Sequence, residues 1–389
     1  MSTGQLQREP AAGSADAANA SGQARWHQEF RLLTRGALAA FLADRCAEHV
    51  HDVPGADFLT ELLGEYADGG KYMRSTFVYL GWLAGCAGNN AAGNNAAGNN
   101  AAAVRAAASI ELLHAFALLQ DDVMDRSPMR RGRPAAHLRL ADWYRGQGRG
   151  GDADRFGESA AILLSDLCLV WSGQMLRECG LGPGALARGW PYYDTLRGEL
   201  AVGQFADLLY DARHRPPMAD VLDMIRRKSG NYTVRRPLEL GAALADCDRT
   251  ARAALAQYGE LVGEAFQLRD DVLGVFGRPA VTGKPNGIDL RERKATSVIV
   301  LAGEMATAGQ RRQLDRFCEQ EQLTDADIAQ WRALIEETGA VGRIEQMIGS
   351  RVATAWAALE SAVVEGAPLD PFVRGALRDL AVQATAGAR

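Results

Sequence analysis

Apolar residues fill long stretches of this chain without the strict alternation of a half-buried strand. Ser109-Ile110-Glu111-Leu112-Leu113-His114-Ala115-Phe116-Ala117-Leu118-Leu119-Gln120 contains no Gly or Pro and predicts a helix. A second run, Gly263 to Phe276, predicts another that stops at a glycine-bearing segment. Long Ala- and Leu-rich segments, few strand signals and no Pro/Gly/Ser linker after Arg25 predict one all-α domain. A chain of 389 residues is long enough to bury a large core. Two segments break the pattern. Met1 to about Ala24 is rich in Ala, Gly, Ser and Gln and predicts a disordered tail rather than a signal peptide. Residues 87–101 repeat Ala-Gly-Asn-Asn-Ala, a unit too short for a solenoid, and predict a lengthened surface loop without function. No run of about 18 apolar residues stands out, so no transmembrane helix is expected.

The apolar runs are interrupted where interruption is costly. Asp121, Asp122 and Asp125 close the first helix, and Asp270 and Asp271 lie inside the second. Carboxylates in apolar helices are unfavourable unless cations compensate them. Asp121 and Asp125 share a helix face, whereas Asp122 is rotated by about 100°. Carboxylates crowded in one turn repel each other and suit a hard divalent cation such as Mg²⁺, which takes one or two carboxylates plus phosphate oxygens. One such cluster is as readily a solvated helix end paired with Arg126, Arg130 and Arg131. Two of them point to a cation-dependent diphosphate site.

Basic groups flank the acids along the chain. Lys71 and Arg74 come after Gly69-Gly70, Arg130, Arg131 and Arg133 after Asp125, and Lys228 before another helical run. Lys284 and Lys294 lie in a Gly/Pro-bearing segment after Asp271, of the kind that closes over a phosphorylated substrate. Each alone reads as a surface feature; together they suit ligands carrying two diphosphates. The net charge of −5 gives no reason to expect nucleic acid or an anionic membrane as partner. Six cysteines form no Cys-x-x-Cys pair and read as reduced thiols of a cytoplasmic protein.

These elements carry a family resemblance. Asp121-Asp122-Val123-Met124-Asp125, Arg130-Arg131-Gly132-Arg133-Pro134 and Phe266-Gln267-Leu268-Arg269-Asp270-Asp271 match the two aspartate-rich motifs and the basic segment of the trans-isoprenyl diphosphate synthases. Gly69-Gly70-Lys71 with Arg74, Gly203-Gln204 with Asp207-Leu208, and Lys228 match further elements in the same order. The chain most resembles the bacterial geranylgeranyl diphosphate synthase-like members. It departs from them at Gly274, where many have a third Asp, at Ser165, at Ile288 and at Arg293.

The resemblance implies a bundle of long helices around a central hydrophobic cavity. It implies Mg²⁺ held by Asp121, Asp122, Asp125 and Asp270, with Asp271 in support. Arg130, Lys228 and Lys284 would grip the leaving diphosphate of an allylic substrate, with Lys294 on the closing segment. Lys71, Arg74, His114 and Arg131 would hold isopentenyl diphosphate, and Gln267 would steer the allylic cation together with Thr233 or Tyr232. Phe116, with small Ala117 beside it, would set product length and favours C20 over C15. Leu163, Leu167, Val170 and Phe205 are alternative floor residues. The resemblance also implies a homodimer. A terpene cyclase would need an Asn/Ser/Glu metal motif in place of Asp270-Asp271. A silent partner subunit would be expected to lose aspartates or Lys71 and Arg74. A ferritin-like di-iron site would need a second Glu-x-x-His besides Glu111 and His114.

Overall fold

The computed structural model describes residues 13–86, 97–148, 150–210, 216–277, 287–364 and 366–386. Helices α1 (Gly13–His49), α2 (Ala56–Ala67), α3 (Met73–Cys86) and α4 (Ala97–Met124) come first. A short hairpin, β1 (Met129–Arg130) and β2 (Arg133–Pro134), leads into α5 (Ala136–Gly146), α6 (Ala153–Arg177) and α7 (Pro183–Leu209). Helix α8 (Met218–Ile225) runs without a break through a π-helical segment (Arg226–Arg235) into α9 (Arg236–Leu244). Helix α10 (Arg249–Phe276) and the short α11 (Ile288–Arg291) complete the part that builds the site. Beyond them lie α12 (Ser297–Met305), α13 (Ala308–Glu319), α14 (Asp325–Glu337), α15 (Ala340–Glu360), a second hairpin (Val363–Val364 with Ala367–Pro368) and α16 (Pro371–Thr385). The all-α expectation holds: the two hairpins, each with two-residue strands, are the only sheets among the described residues.

Helix α4 is apolar nearly all round because it is buried on two sides. Ala103, Ala106, Ala107, Ile110 and Leu113 belong to the core shared with α3 and α7. Ala108, Leu112, Ala115 and Leu119 belong to the core shared with α1, α2 and α6. The alanines let α6 and α3 pack closely against it. Helix α10 is started by Asp248, whose carboxylate accepts from the N–H groups of Thr250 (2.7 Å) and Ala251 (2.9 Å). The π segment is held between α7 and α10 at backbone distance. A Cβ on Gly203 of α7 would stand 2.4 Å from the Lys228 nitrogen, and one on Gly263 of α10 would stand 2.5 Å from the Gly230 carbonyl oxygen.

Three expectations change. Residues 13–24 are helical, as the first turns of α1, where a disordered tail was expected; residues 1–12 lie outside the described residues. Of the repeat, residues 87–96 also lie outside them, and its last unit opens α4 rather than a loop. Two helices, Asn100–Met124 and Ala153–Arg177, are long and apolar enough to cross a membrane by length and composition. Both pack into the protein, the first with 72% of its apolar window buried. It also carries Asp121 and Asp122 at its end, so we read it as a core helix.

Candidate active site

The last turns of α4, the middle of α10 and the π segment meet around a cavity of about 410 Å³. His114, Leu118, Asp121 and Asp125 line it from α4, Phe266 and Asp270 from α10, and Thr233 from the π segment. Lys71 and Arg74, at the entry to α3, and Arg130 and Arg131, on the β1–β2 hairpin, form its basic rim. Glu292 and Lys294, just after α11, close the remaining side. The hairpin turns on two residues, Arg131 and Gly132, both with positive φ (51° and 77°). That is the backbone of a type I′ turn, whose twist suits a two-residue hairpin.

The cations cross from one helix to another. Lys228 Nζ donates to Asp207 of α7 at 2.5 Å and to Asp121 at 3.5 Å, and Gln204 donates to the same Asp121 oxygen at 3.0 Å. Lys294 donates to Asp125 at 2.6 Å and lies 3.2 Å from Glu292. Burial pushes the Asp121 carboxyl up, but Lys228, Lys294 and Arg130 outweigh it and hold the group below its ordinary value. Burial works against charge on Lys294 too, yet Asp125 and Glu292 keep its ammonium well above the ordinary range. The same balance, set by Asp207 and Asp121 against burial, raises Lys228.

On the other side of the cavity the groups are arranged for a second anion. The Arg74 guanidinium lies 4.4 Å from the centre of the Tyr232 ring, and the Tyr232 hydroxyl is 3.1 Å from His114 Nδ1. Burial and the nearby Arg74, Arg131 and Arg130 push His114 well below its usual value, so the imidazole is neutral. Glu111, fully buried, accepts from the Ser75 N–H (3.1 Å) and hydroxyl (2.7 Å), fixing the first turn of α3 beside Arg74. Glu111 and His114 therefore point to different partners and do not form a metal pair.

Not every expected residue faces the cavity. Asp122 is fully buried: its carboxylate accepts from the Tyr66 hydroxyl at 2.8 Å and from Arg130 Nε at 2.9 Å. It was expected among the metal ligands, but its place about 100° round the helix from Asp121 turns it inward to position Arg130. Asp271 was expected in support of the metal. Instead it caps α12, accepting from the Ser297 N–H (2.9 Å) and hydroxyl (2.6 Å). Gln267, expected to steer the substrate, donates to Asp271 at 2.9 Å. Lys284 lies outside the described residues. Leu163, Val170 and Phe205, considered as cavity floor, are each 64% exposed on the outer faces of α6 and α7. Nothing in the sequence singled out Tyr66. Gln204 and Asp207 were marked only by their match to a family element, and Glu111 only by its spacing from His114.

Among the described residues no three Asp, Glu, His or Cys side chains gather closely enough to hold an ion by themselves. Asp121, Asp125 and Asp270 nonetheless present carboxylate oxygens to one cavity with a cationic rim. That suits an ion that completes its coordination with water and phosphate oxygens, as Mg²⁺ does.

A family model for polyprenyl synthetase matches residues 56–335, most of the chain. The chain belongs to the polyprenyl synthetase family. A geranylgeranyl diphosphate synthase of Mycobacterium tuberculosis is 32% identical over 295 residues, 76% of each chain. A geranylfarnesyl diphosphate synthase of Aeropyrum pernix is 31% identical over 242 residues, 61% of this chain and 70% of the relative. The crystal structure of a geranylgeranyl pyrophosphate synthase from Corynebacterium glutamicum, complexed with isoprenyl diphosphate and magnesium, superposes with a TM-score of 0.83 at 33% identity. It covers 92% of this chain and 98% of that one. As a member of this family the protein is a trans-isoprenyl diphosphate synthase, whose substrates are isopentenyl and allylic diphosphates.

The inward turn of Asp271 gives this synthase a pH dependence. Burial pushes its carboxyl from 3.8 up to about 6 against the hydrogen bonds from Ser297 and Gln267. Folding therefore takes up a proton between those values. The stability Asp271 contributes relative to a side chain that cannot titrate is fully present below pH 3.8 and is lost as pH rises through about 6. The thermal midpoint of the unmodified protein minus that of Asp271→Asn should fall across this window and level off above it. A difference that stays constant with pH would contradict the burial of this carboxylate.

Proposed function

We propose that the protein condenses isopentenyl diphosphate with allylic diphosphates to give an all-trans C20 diphosphate, with Mg²⁺ as the metal. The observation that carries this reading is the pair of opposed acidic walls, Asp121 with Asp125 and Asp270, facing one cavity with a cationic rim. Asp121, Asp125 and Asp270 would hold the metal, which when bound neutralises the allylic diphosphate so that its C–O bond ionises. Lys228 and Lys294, already pairing with the α4 acids, give the departing diphosphate fixed positive charge within reach. Arg130, oriented by Asp122 and Tyr66, reaches the same anion. Lys71, Arg74 and Arg131 face the second diphosphate, and neutral His114 offers it a hydrogen bond without adding charge. The chain offers no dedicated nucleophile, and the double bond of isopentenyl diphosphate attacks the allylic cation. The departing diphosphate is the base for the final proton.

The C20 assignment rests on two side chains of α4. Phe116 is half-buried where the α3–α7 core meets the α1–α2–α6 core, and Ala117 packs on the former. Small Ala117 leaves room that an aromatic would close at C15. Relatives named geranylgeranyl diphosphate synthase support C20, beside others named farnesyl and geranylfarnesyl diphosphate synthase.

We also assign the outer faces of α6 and α7 to a second copy of the chain. Leu163 and Val170 on α6, and Val202, Phe205 and Leu209 on α7, form helical stripes that are more than half exposed. Exposed stripes of large apolar residues mark association surfaces in proteins of this size. The six cysteines form no Cys-x-x-Cys pair, and we place the enzyme in the cytoplasm.

Incubation with isopentenyl diphosphate, each allylic starter in turn and Mg²⁺, followed by chromatography of the dephosphorylated prenols, should give mainly a C20 alcohol. No elongated prenol would refute the synthase, and a dominant C15 product would refute the length. Asp121→Ala should lower turnover by roughly 100-fold or more, since it removes charge stabilisation from the reacting anion; a near-normal rate would take Asp121 out of the site. Phe116→Ala should shift products to longer chains, and an unchanged profile would place the floor elsewhere. Light scattering should give the mass of a dimer for the unmodified protein and of a monomer for Phe205→Glu; the same mass for both would exclude this interface.

A further inference from the structure

The two acidic walls differ in a way that backbone geometry explains. On α4 the acids Asp121 and Asp125 are one turn apart. On α10, Asp270 is followed one turn later by Gly274, which has no side chain to offer. The space above Gly274 is nevertheless filled. A Cβ built there would lie 1.8 Å from Oδ2 and 2.5 Å from Cγ of Asp289. The Asp289 carboxylate, carried by α11, thus occupies the volume where a side chain at position 274 would begin.

We propose that Asp289 supplies, from α11, the acidic group that α10 lacks at position 274, so that the second wall of the site is Asp270 with Asp289. The proposal rests on the reading of the cavity as a metal–diphosphate site. Two features support it. Gly274 lies in the last turn of α10, where the helix dipole is negative and Asp270 adds its own charge. A carboxylate held there adds to the negative potential that draws a divalent cation between the walls. The segment carrying Asp289 is also tied to the opposite wall. The Lys294 N–H donates to the Asp289 carbonyl at 3.0 Å, while Lys294 Nζ donates to Asp125 of α4 at 2.6 Å. Asp289 and the α4 acids are therefore positioned by one short element. Glycine at 274 is then a requirement, because any side chain there would expel Asp289.

Calorimetric titration of Mg²⁺ in the presence of inorganic pyrophosphate tests this, alongside thermal midpoints and the Mg²⁺ concentration giving half-maximal condensation. Asp289→Asn, which keeps the shape and removes the charge, should weaken Mg²⁺ binding by about ten-fold or more and raise the half-maximal Mg²⁺ concentration, with little change in thermal midpoint. Asp289→Gly should show the same loss. Combining it with Gly274→Asp, which relocates the carboxylate to α10, should recover most of the Mg²⁺ binding. Asp289→Asn binding Mg²⁺ as the unmodified protein does would overturn the proposal. So would a folded double variant as weak as Asp289→Gly. If the unmodified protein itself binds pyrophosphate equally with and without Mg²⁺, the metal–diphosphate reading fails and takes the proposal with it.

Discussion

Lys228 and Lys294 hold the acids of α4 from opposite sides, and the geometry of the site follows from those two contacts. Lys228 ties α4 to the π segment and to Asp207 of α7, while Lys294 ties α4 to the turn after α11. Charges at this depth are costly alone and tolerable in pairs, because removing one partner leaves the other buried and uncompensated. The pairs therefore constrain where four helices can stand relative to one another. They also leave each cation able to exchange a carboxylate for a more strongly charged phosphate oxygen without moving far.

Such placement needs backbones that approach closely. Lys228 can reach Asp121 and Asp207 together because Gly203 and Gly263 let α7 and α10 close on the π segment from either side. π-helical turns within α-helices are frequent at functional sites, since the extra residue per turn redirects side chains that a regular helix would point elsewhere. In this chain the widened stretch presents Lys228, Tyr232 and Thr233, one to the acids and the others to the apolar and anion-facing sides of the cavity. The second anion site is fixed by a different device. Buried Glu111 draws its partners from the first turn of α3 and so holds Arg74 over the Tyr232 ring.

The helical class and the convergence of Asp121, Asp125, Asp270, Lys71, Arg74 and Arg130 on one cavity were legible because periodicity and charge order are local properties of a sequence. The π segment was not. Ser229-Gly230 sits in a polar, basic stretch with no period that separates a π-helix from an α-helix, and its widening depends on two glycines that are distant in the chain. The role of Glu111 was hidden for a similar reason, since Ser75 lies 36 residues away and nothing in either neighbourhood announces the pair. The opening turns of α1 run against composition, which favoured disorder up to Ala24, because composition reports burial and not the helix propensity of an alanine-rich segment.

The doubled aspartates make the clearest case for reading helix geometry rather than motif. Adjacent residues on a helix point about 100° apart, so neighbouring carboxylates diverge and can serve different surfaces. Each pair here divides accordingly. Asp121 faces the cavity and Asp122 turns into the core to orient Arg130; Asp270 faces the cavity and Asp271 turns inward to cap α12. In both cases the inward carboxylate fixes the element that carries, or leads away from, a basic group of the rim: the hairpin with Arg130 and Arg131, and the helix that follows Lys294. A doubled acid thus supplies one charge for chemistry and a second that secures its surroundings. Replacing the inward member should disturb the site through its neighbours' positions, whereas replacing the outward member removes the charge itself.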